Sequence, residues 1–151
     1  MSARYSKHGI SFIYPPRWEL AEHAEPGQVT ITISSPGTSF LTLCLFTDRP
    51  EPTEVAEAAL DAFREEYPEL DVYRAQARVG KRSAVAWDVE FFCLEMTNSA
   101  RVRAFKSPRF TGLLLWQGTD AEFEQTDPMF EKIARSVRCV EIDDAGDEPE
   151  E

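Results

Sequence analysis

The sequence predicts an α+β domain, a mostly antiparallel sheet of six or seven strands with helices packed on it. Three observations predict it. Runs with a two-residue apolar period dominate the chain, two stripes of helical period interrupt them, and the strand connections are short and turn-like.

The elements follow in order. Ile10, Phe12 and Tyr14 alternate with Ser11 until Pro15-Pro16 stops them, a short first strand. Over 28–35, Val29, Ile31 and Ile33 alternate with Thr30, Thr32 and Ser34. Pro36-Gly37 then supplies a turn, and Leu41, Leu43 and Leu45 share one face of the run 39–46. That is a hairpin. The period changes next: Val55, Ala59, Leu60, Phe63 and Tyr67 form one helical stripe, after Pro52 and Thr53 and before Pro68. The spacing predicts a helix over 53–67.

Four strand-like runs follow, 72–79, 83–95, 99–106 and 110–118, with turns expected around Gly80-Lys81, Thr97-Asn98 and Ser107-Pro108. An antiparallel meander is the simplest arrangement. Leu113, Leu114, Leu115 and Trp116 make the last run apolar on both faces, so both should be covered. Asp127-Pro128 offers an N-cap with proline at the first helical position. Phe130, Ile133, Ala134 and Val137 then form the buried stripe of a closing helix.

Length and charge bound the organisation. A chain of 151 residues suits one domain with a core that needs no staples. The stretch 141–151 holds seven acids and no base, a composition that predicts a disordered acidic tail after a globular domain over 1–140. A second acidic block, 51–71, carries eight acids against the single base Arg64. Outside these two segments 15 bases face 12 acids, and 72–110 alone is +5. The net charge of −11 conceals this polarity.

The acidity argues against nucleic-acid partners and anionic membrane surfaces, both of which need basic protein surface. No run approaches the ~20 apolar residues of a membrane helix, so membrane insertion is not expected. The polar stretch from Met1 to Gly9 does not read as a secretory signal. Cys44, Cys93 and Cys139 are odd in number and unpatterned, which suits reduced thiols in the cytoplasm.

At Gly9-Ile10-Ser11-Phe12-Ile13-Tyr14-Pro15 with Trp18, the chain resembles the opening strand and turn of the PsbP-like fold. Phe130-Glu131-Lys132-Ile133-Ala134-Arg135-Ser136 is similar to that fold's final helix. The likeness spans about 8–138, with helix, meander and apolar strand in the expected order. This group includes the extrinsic photosystem II subunit, a Ran-GTPase-binding import factor, DcrB-like proteins and Eag-type chaperones of secreted effectors. The resemblance implies a PsbP-like sandwich and a non-enzymatic binding or assembly role, since known members mostly bind other proteins.

Little reads as catalytic chemistry. His8 and His23 lie fifteen residues apart with no cysteine beside them, so surface histidines are expected rather than a metal site. Cys44 between Leu43 and Leu45, and Cys93 after Phe91-Phe92, read as small core residues. No nucleophile elbow, Walker sequence or dinucleotide fingerprint occurs. Asp88 and Glu90 share a strand face and could form a carboxylate pair. The expected register sets Arg74 opposite Asp88, Arg103 diagonal to Glu90 and Arg101 opposite Leu94, which reads as cross-strand ion pairing. Trp87 and Trp116 read as core, and Trp18 as a packed turn residue.

The same register puts Arg74, Arg78, Phe92, Arg101, Arg103 and Phe105 on one basic–aromatic face. Arginine interleaved with aromatics is the composition of protein interfaces. This face is the expected docking surface for another protein or a second copy of the chain; the competing expectation is that a helix covers it. The reading from sequence is a cytoplasmic, non-catalytic protein-binding or assembly module without cofactor or metal. The alternative is a small-molecule-binding protein or enzyme with its pocket between the sheet and helix 53–67. A cone-shaped sheet of the nuclear-transport-factor type would favour that alternative, and a cavity of ~300 Å3 or more is its signature.

Overall fold

Two consecutive turns set the central sheet. A computed structural model describes residues 2–140, and the acidic segment 141–151 lies outside the described residues. Among the described residues the strands are β1 (Ala3–Lys7), β2 (Ile10–Tyr14), β3 (Glu19–Glu25), β4 (Gln28–Ser34), β5 (Phe40–Phe46), β6 (Leu70–Val79), β7 (Arg82–Cys93), β8 (Met96–Lys106), β9 (Thr111–Thr119) and β10 (Arg138–Cys139). Helix α1 (Pro52–Glu66) follows β5, and α2 (Asp120–Ser136) follows β9. Seven strands make one antiparallel sheet in the order β3-β4-β5-β9-β8-β7-β6; β1, β2 and β10 make a second.

The β6–β7 connection is the two-residue turn Gly80-Lys81, with Val79 paired to Arg82, and it sets Tyr73 opposite Asp88 and Arg74 opposite Trp87. The expected pairing of Arg74 with Asp88 requires a turn one residue longer, Gly80-Lys81-Arg82, and a one-residue slip sends every side chain of a strand to the other face. The β7–β8 turn is Leu94-Glu95, both at positive φ (53° and 62°), with Cys93 paired to Met96. Asn98, expected in that turn, lies in β8 instead and donates from Nδ2 to the Met96 carbonyl at 3.1 Å. Arg101 therefore faces Asp88 rather than Leu94.

Each face of the large sheet carries an apolar layer with a helix packed on it. Ile31, Ile33, Leu41, Leu43, Leu114 and Trp116 point to one side and pack with Phe12 of the small sheet and Phe123 and Phe130 of α2. On the other side Val89, Ala100, Val102 and Ala104 take Val55, Ala56, Leu60 and Phe63 of α1. Burying a Leu or Phe side chain stabilises by about 1.5–3 kcal/mol, so these two apolar layers hold the helices. Trp18 packs edge-on against Phe130 with centroids 5.1 Å apart, an aromatic clamp from the turn after β2.

Helix α2 starts at Asp120, seven residues before the expected N-cap at Asp127, and Pro128 sits inside it. The reason is Phe123, which is buried and lies one heptad before Phe130, so the apolar stripe begins two turns earlier than its densest part. Asp120 and Glu122 in the first turn suit the positive end of the helix dipole. Strands β1 and β3 were not expected; apart from Tyr5 they carry little buried apolar area, and backbone pairing to β2 and β4 makes them strands.

Candidate functional site

The six residues of the expected basic–aromatic face do not form one surface. Arg74 and Arg78 point to the α1 side of the sheet, on the edge strand β6, whereas Phe92, Arg101, Arg103 and Phe105 point to the α2 side. Charged residues on an exposed edge discourage strand addition by another chain, and Arg74 also lies over the Trp87 ring at 5.2 Å. Phe105 and Arg103 are buried, at 1% and 6% exposure, while Phe92 is exposed near the β7–β8 turn.

Arg101 and Arg103 instead anchor an ion-pair network beneath α2. Arg103 Nη1 donates to Asp88 Oδ1 at 3.1 Å and to the Trp87 and Val102 carbonyls, while its guanidinium lies over the Trp116 ring at 5.4 Å. Arg101 bridges Asp88 at 3.4 Å and Asp127 at 3.1 Å and lies over the Phe123 ring. Asp88 is thus held by two guanidiniums. Glu90 is exposed and faces Ser99, so the carboxylate pair does not converge on a cleft.

The cavity on the α1 side differs in character. Its floor is the β5–β9 pair, where Thr42 is opposite Leu115 and Cys44 opposite Leu113. Its wall is α1, through Ala59, Ala62, Phe63 and Glu66, with Tyr67 just past the helix end. The groove holds about 410 Å3 and its lining is mostly apolar. Helix α1 packs over β7, β8 and β9. The floor continues onto Thr30 and Thr32 of β4, opposite Cys44 and Thr42 and half-buried. Glu66 is exposed at the groove, and the solvent face of α1 is acidic, with Glu54, Glu57, Asp61 and Glu65 exposed.

Cys44 is half-buried on the floor rather than in the core. Burial pushes its thiol pKa up, partly offset by the Thr30 hydroxyl 3.9 Å away. A thiol so placed is protonated at neutral pH and is a poor nucleophile. His8 pairs with Glu22 at 2.9 Å and His23 lies 3.6 Å from Glu25. Among the described residues no three His, Cys, Asp or Glu side chains gather as a metal-ligand set, and no helix is long and apolar enough to cross a membrane.

The groove could have been found from the sequence by following the helical stripe. Ala59, Phe63 and Tyr67 were read there as helix residues facing the sheet, and small Ala59 and Ala62 leave the space that larger side chains would fill.

No protein-family profile matches the chain, and no curated protein sequence does. Solved structures match it, at identities that speak to fold alone. LpqN of Mycobacterium tuberculosis, involved in cell envelope biogenesis, is 14% identical over 93% of this chain and 91% of its own, with a TM-score of 0.62. Cyanobacterial PsbP (CyanoP) of Synechocystis sp. PCC 6803 is 16% identical over 91% of this chain and 92% of its own, with a TM-score of 0.51. A Bacteroides thetaiotaomicron protein is 8% identical over 93% of this chain, with a TM-score of 0.62; the chain spans about half its length, 49%. The fold is PsbP-like.

Proposed function

We propose that this chain is a non-catalytic binding module, of assembly or chaperone type, that receives an apolar segment of another protein in the groove between α1 and the β5–β9 pair. The observation that carries the reading is the form of the groove, apolar and open to solvent rather than enclosed; its volume of about 410 Å3 taken alone fits the small-molecule alternative. A cleft open to solvent suits an extended or helical segment, because an isolated small ligand is usually buried over most of its surface. Glu66 in the groove, backed by the acidic solvent face of α1, favours a segment that carries Lys or Arg beside its apolar residues.

Other features support the absence of catalysis. The thiol in the groove is held protonated, and Asp88 is occupied by Arg101 and Arg103. The PsbP-like and LpqN neighbours are consistent with a non-enzymatic module. No disulfide joins the three cysteines, which supports a reducing compartment such as the cytoplasm as the place of action.

A second reading has one observation in its favour. The groove volume falls within the range of small-molecule pockets, so an acyl chain could lie in it. Methyl-labelled protein titrated with a Leu/Lys amphipathic helical peptide and, separately, with dodecanoate separates the two. The protein-binding reading expects the peptide to shift the Leu113 and Leu115 methyls and expects Ala62→Trp, which fills the groove, to abolish the shift. Dodecanoate binding without peptide binding would replace it with the ligand reading, and silence from both probes would remove the groove from consideration.

A further inference from the structure

One end of the molecule gathers cations from separate parts of the chain. The β1–β2 turn (His8-Gly9), the β6–β7 turn (Gly80-Lys81), the β8–β9 connection (107–110) and β10 meet there. Arg78 Nη1 donates to the Lys81 carbonyl at 3.0 Å, and Arg82 Nη1 to the Lys106 carbonyl at 3.2 Å. Arg138 Nη1 donates to the Val137 carbonyl at 2.8 Å, beside Gly80, whose amide is bonded to Ala134 at the end of α2. Arg109 lies across Gly9 so closely that a Cβ there would come within 3.3 Å of its Cδ and Nη1. Arg78, Lys81, Arg109 and Arg138 are all exposed. Lys106 and the β1–β2 turn add charge at this end, where Glu51 pairs with Lys106 at 2.9 Å and Glu22 with His8 and Lys7.

The chain leaves the described fold at this pole. The amide of Val140 donates to the carbonyl of Gly9 at 2.9 Å, the same glycine on which Arg109 rests. The eleven residues that follow, 141–151, contain seven acids and no base. They begin within about one residue of the pole and span at most roughly 36–40 Å when extended.

We infer that the cationic pole formed by Arg78, Lys81, Arg109 and Arg138 is a docking surface for a carboxylate-rich segment, and that its resident occupant is residues 141–151 of the same chain. Charge complementarity and the exit point carry the inference together. A tethered acidic segment is held near the pole at millimolar effective concentration, so it outcompetes weak acidic ligands from solution. Each exposed pair is worth little alone and is screened by salt, so the contact depends on many charges and weakens as ionic strength rises. An external acidic partner would bind only by displacing the segment, which makes 141–151 a salt-sensitive brake on the pole. This surface is distinct from the groove, and neither reading depends on the other.

The test keeps the chain at full length. Each acid of 141–151 is replaced by its amide, from Glu141→Gln through Glu151→Gln, and backbone amide spectra are compared with the wild type. At about 20 mM salt the amides of Gly9, Gly80, Lys81 and Arg109 should differ between the two proteins, and the difference should vanish near 0.5 M salt. The amidated variant should bind hexaglutamate about tenfold more tightly than the wild type, because its pole has lost a tethered competitor. Arg109→Glu with Arg138→Glu in the wild-type chain should abolish the salt-dependent difference while leaving the amides of β4 and β5 in place. Identical pole amides in the two proteins at low salt, differences confined to another surface, or equal hexaglutamate affinities would each overturn the inference.

Discussion

The indole Nε1 of Trp116 donates to Asp127 Oδ1 at 2.7 Å, joining the centre of β9 to the middle of α2. The other carboxylate oxygen takes Arg101 Nη2 at 3.1 Å. Trp116 is fully buried, so its N–H has no solvent to fall back on. Asp127→Ala orphans that donor and releases Arg101, and should destabilise the fold by about 2–3 kcal/mol. Asp127→Asn keeps an acceptor for the indole and should lose about 1 kcal/mol. Urea unfolding followed by tryptophan fluorescence reads both. An Ala variant within about 0.5 kcal/mol of wild type would show that the bond is dispensable.

The same two residues explain what the sequence could and could not disclose. Asp127-Pro128 has the composition of a helix start, and from sequence alone nothing distinguishes a capping carboxylate from one that reaches across to an indole. Phe123 carried the missing signal, one heptad before Phe130 on the same stripe. The alternating runs of β2, β4 and β5 and the stripe of α1 were legible because burial itself imposes their periods. Strand register was not legible, because it rests on turns, and the Leu94-Glu95 turn contains none of the usual turn residues. The predicted interface face depended on the β6–β7 register, where the Gly80-Lys81 turn is one residue shorter than that pairing required, which is why Arg74 and Arg78 part company with Arg101 and Arg103. The groove was legible only as a place, between the sheet and helix 53–67; its size depends on how far α1 stands off β5.

That turn yields a stability prediction. Two-residue hairpin turns with both residues at positive φ favour Asn-Gly, and a non-glycine residue held there costs of order 1 kcal/mol or more. Leu94 is also 89% exposed, so its side chain gives little back through burial. The double variant Leu94→Asn, Glu95→Gly should stabilise the protein by about 1–2 kcal/mol and raise its melting temperature, measured by calorimetry. A lower melting temperature would mean that Leu94 makes a stabilising contact that its exposure hides.

Glu122 predicts a pH dependence. It reaches from the first turn of α2 to the β4–β5 turn, accepting from the Thr38 amide at 3.0 Å, the Thr38 hydroxyl at 3.0 Å and the Ser39 hydroxyl at 2.9 Å. The Ser39 hydroxyl first, and then the Thr38 amide, hold its carboxyl below the ordinary value of 4.5. A carboxyl depressed in the folded state contributes stability that is fully present above 4.5 and is lost as the pH falls toward its lower folded value. Glu122→Gln should cost about 1 kcal/mol near pH 7, and the gap to wild type should close as the pH drops below the ordinary carboxylate value. Glu22, also depressed through its bond from His8, is present in both proteins and cancels from the difference. A gap that stays constant from neutral to acid pH would show that Glu122 acts by shape alone.

Gly112 in β9 decides a last question, whether a strand glycine is there for flexibility or for space. It is paired with Phe105 on one side and Leu45 on the other, and a Cβ at this position would overlap the Phe105 ring. Phe105 is 1% exposed and makes an edge contact with Phe110 at 6.3 Å, so the ring cannot simply swing away. Strand propensity alone would make Gly112→Ala favourable; overpacking against a buried ring should cost about 1–3 kcal/mol and win. The discriminating measurement is the double variant with Phe105→Leu, which makes room for the methyl. Its loss should fall short of the sum of the two single losses by about 1 kcal/mol or more. Strictly additive losses would place the penalty in the backbone of β9 rather than in the aromatic ring.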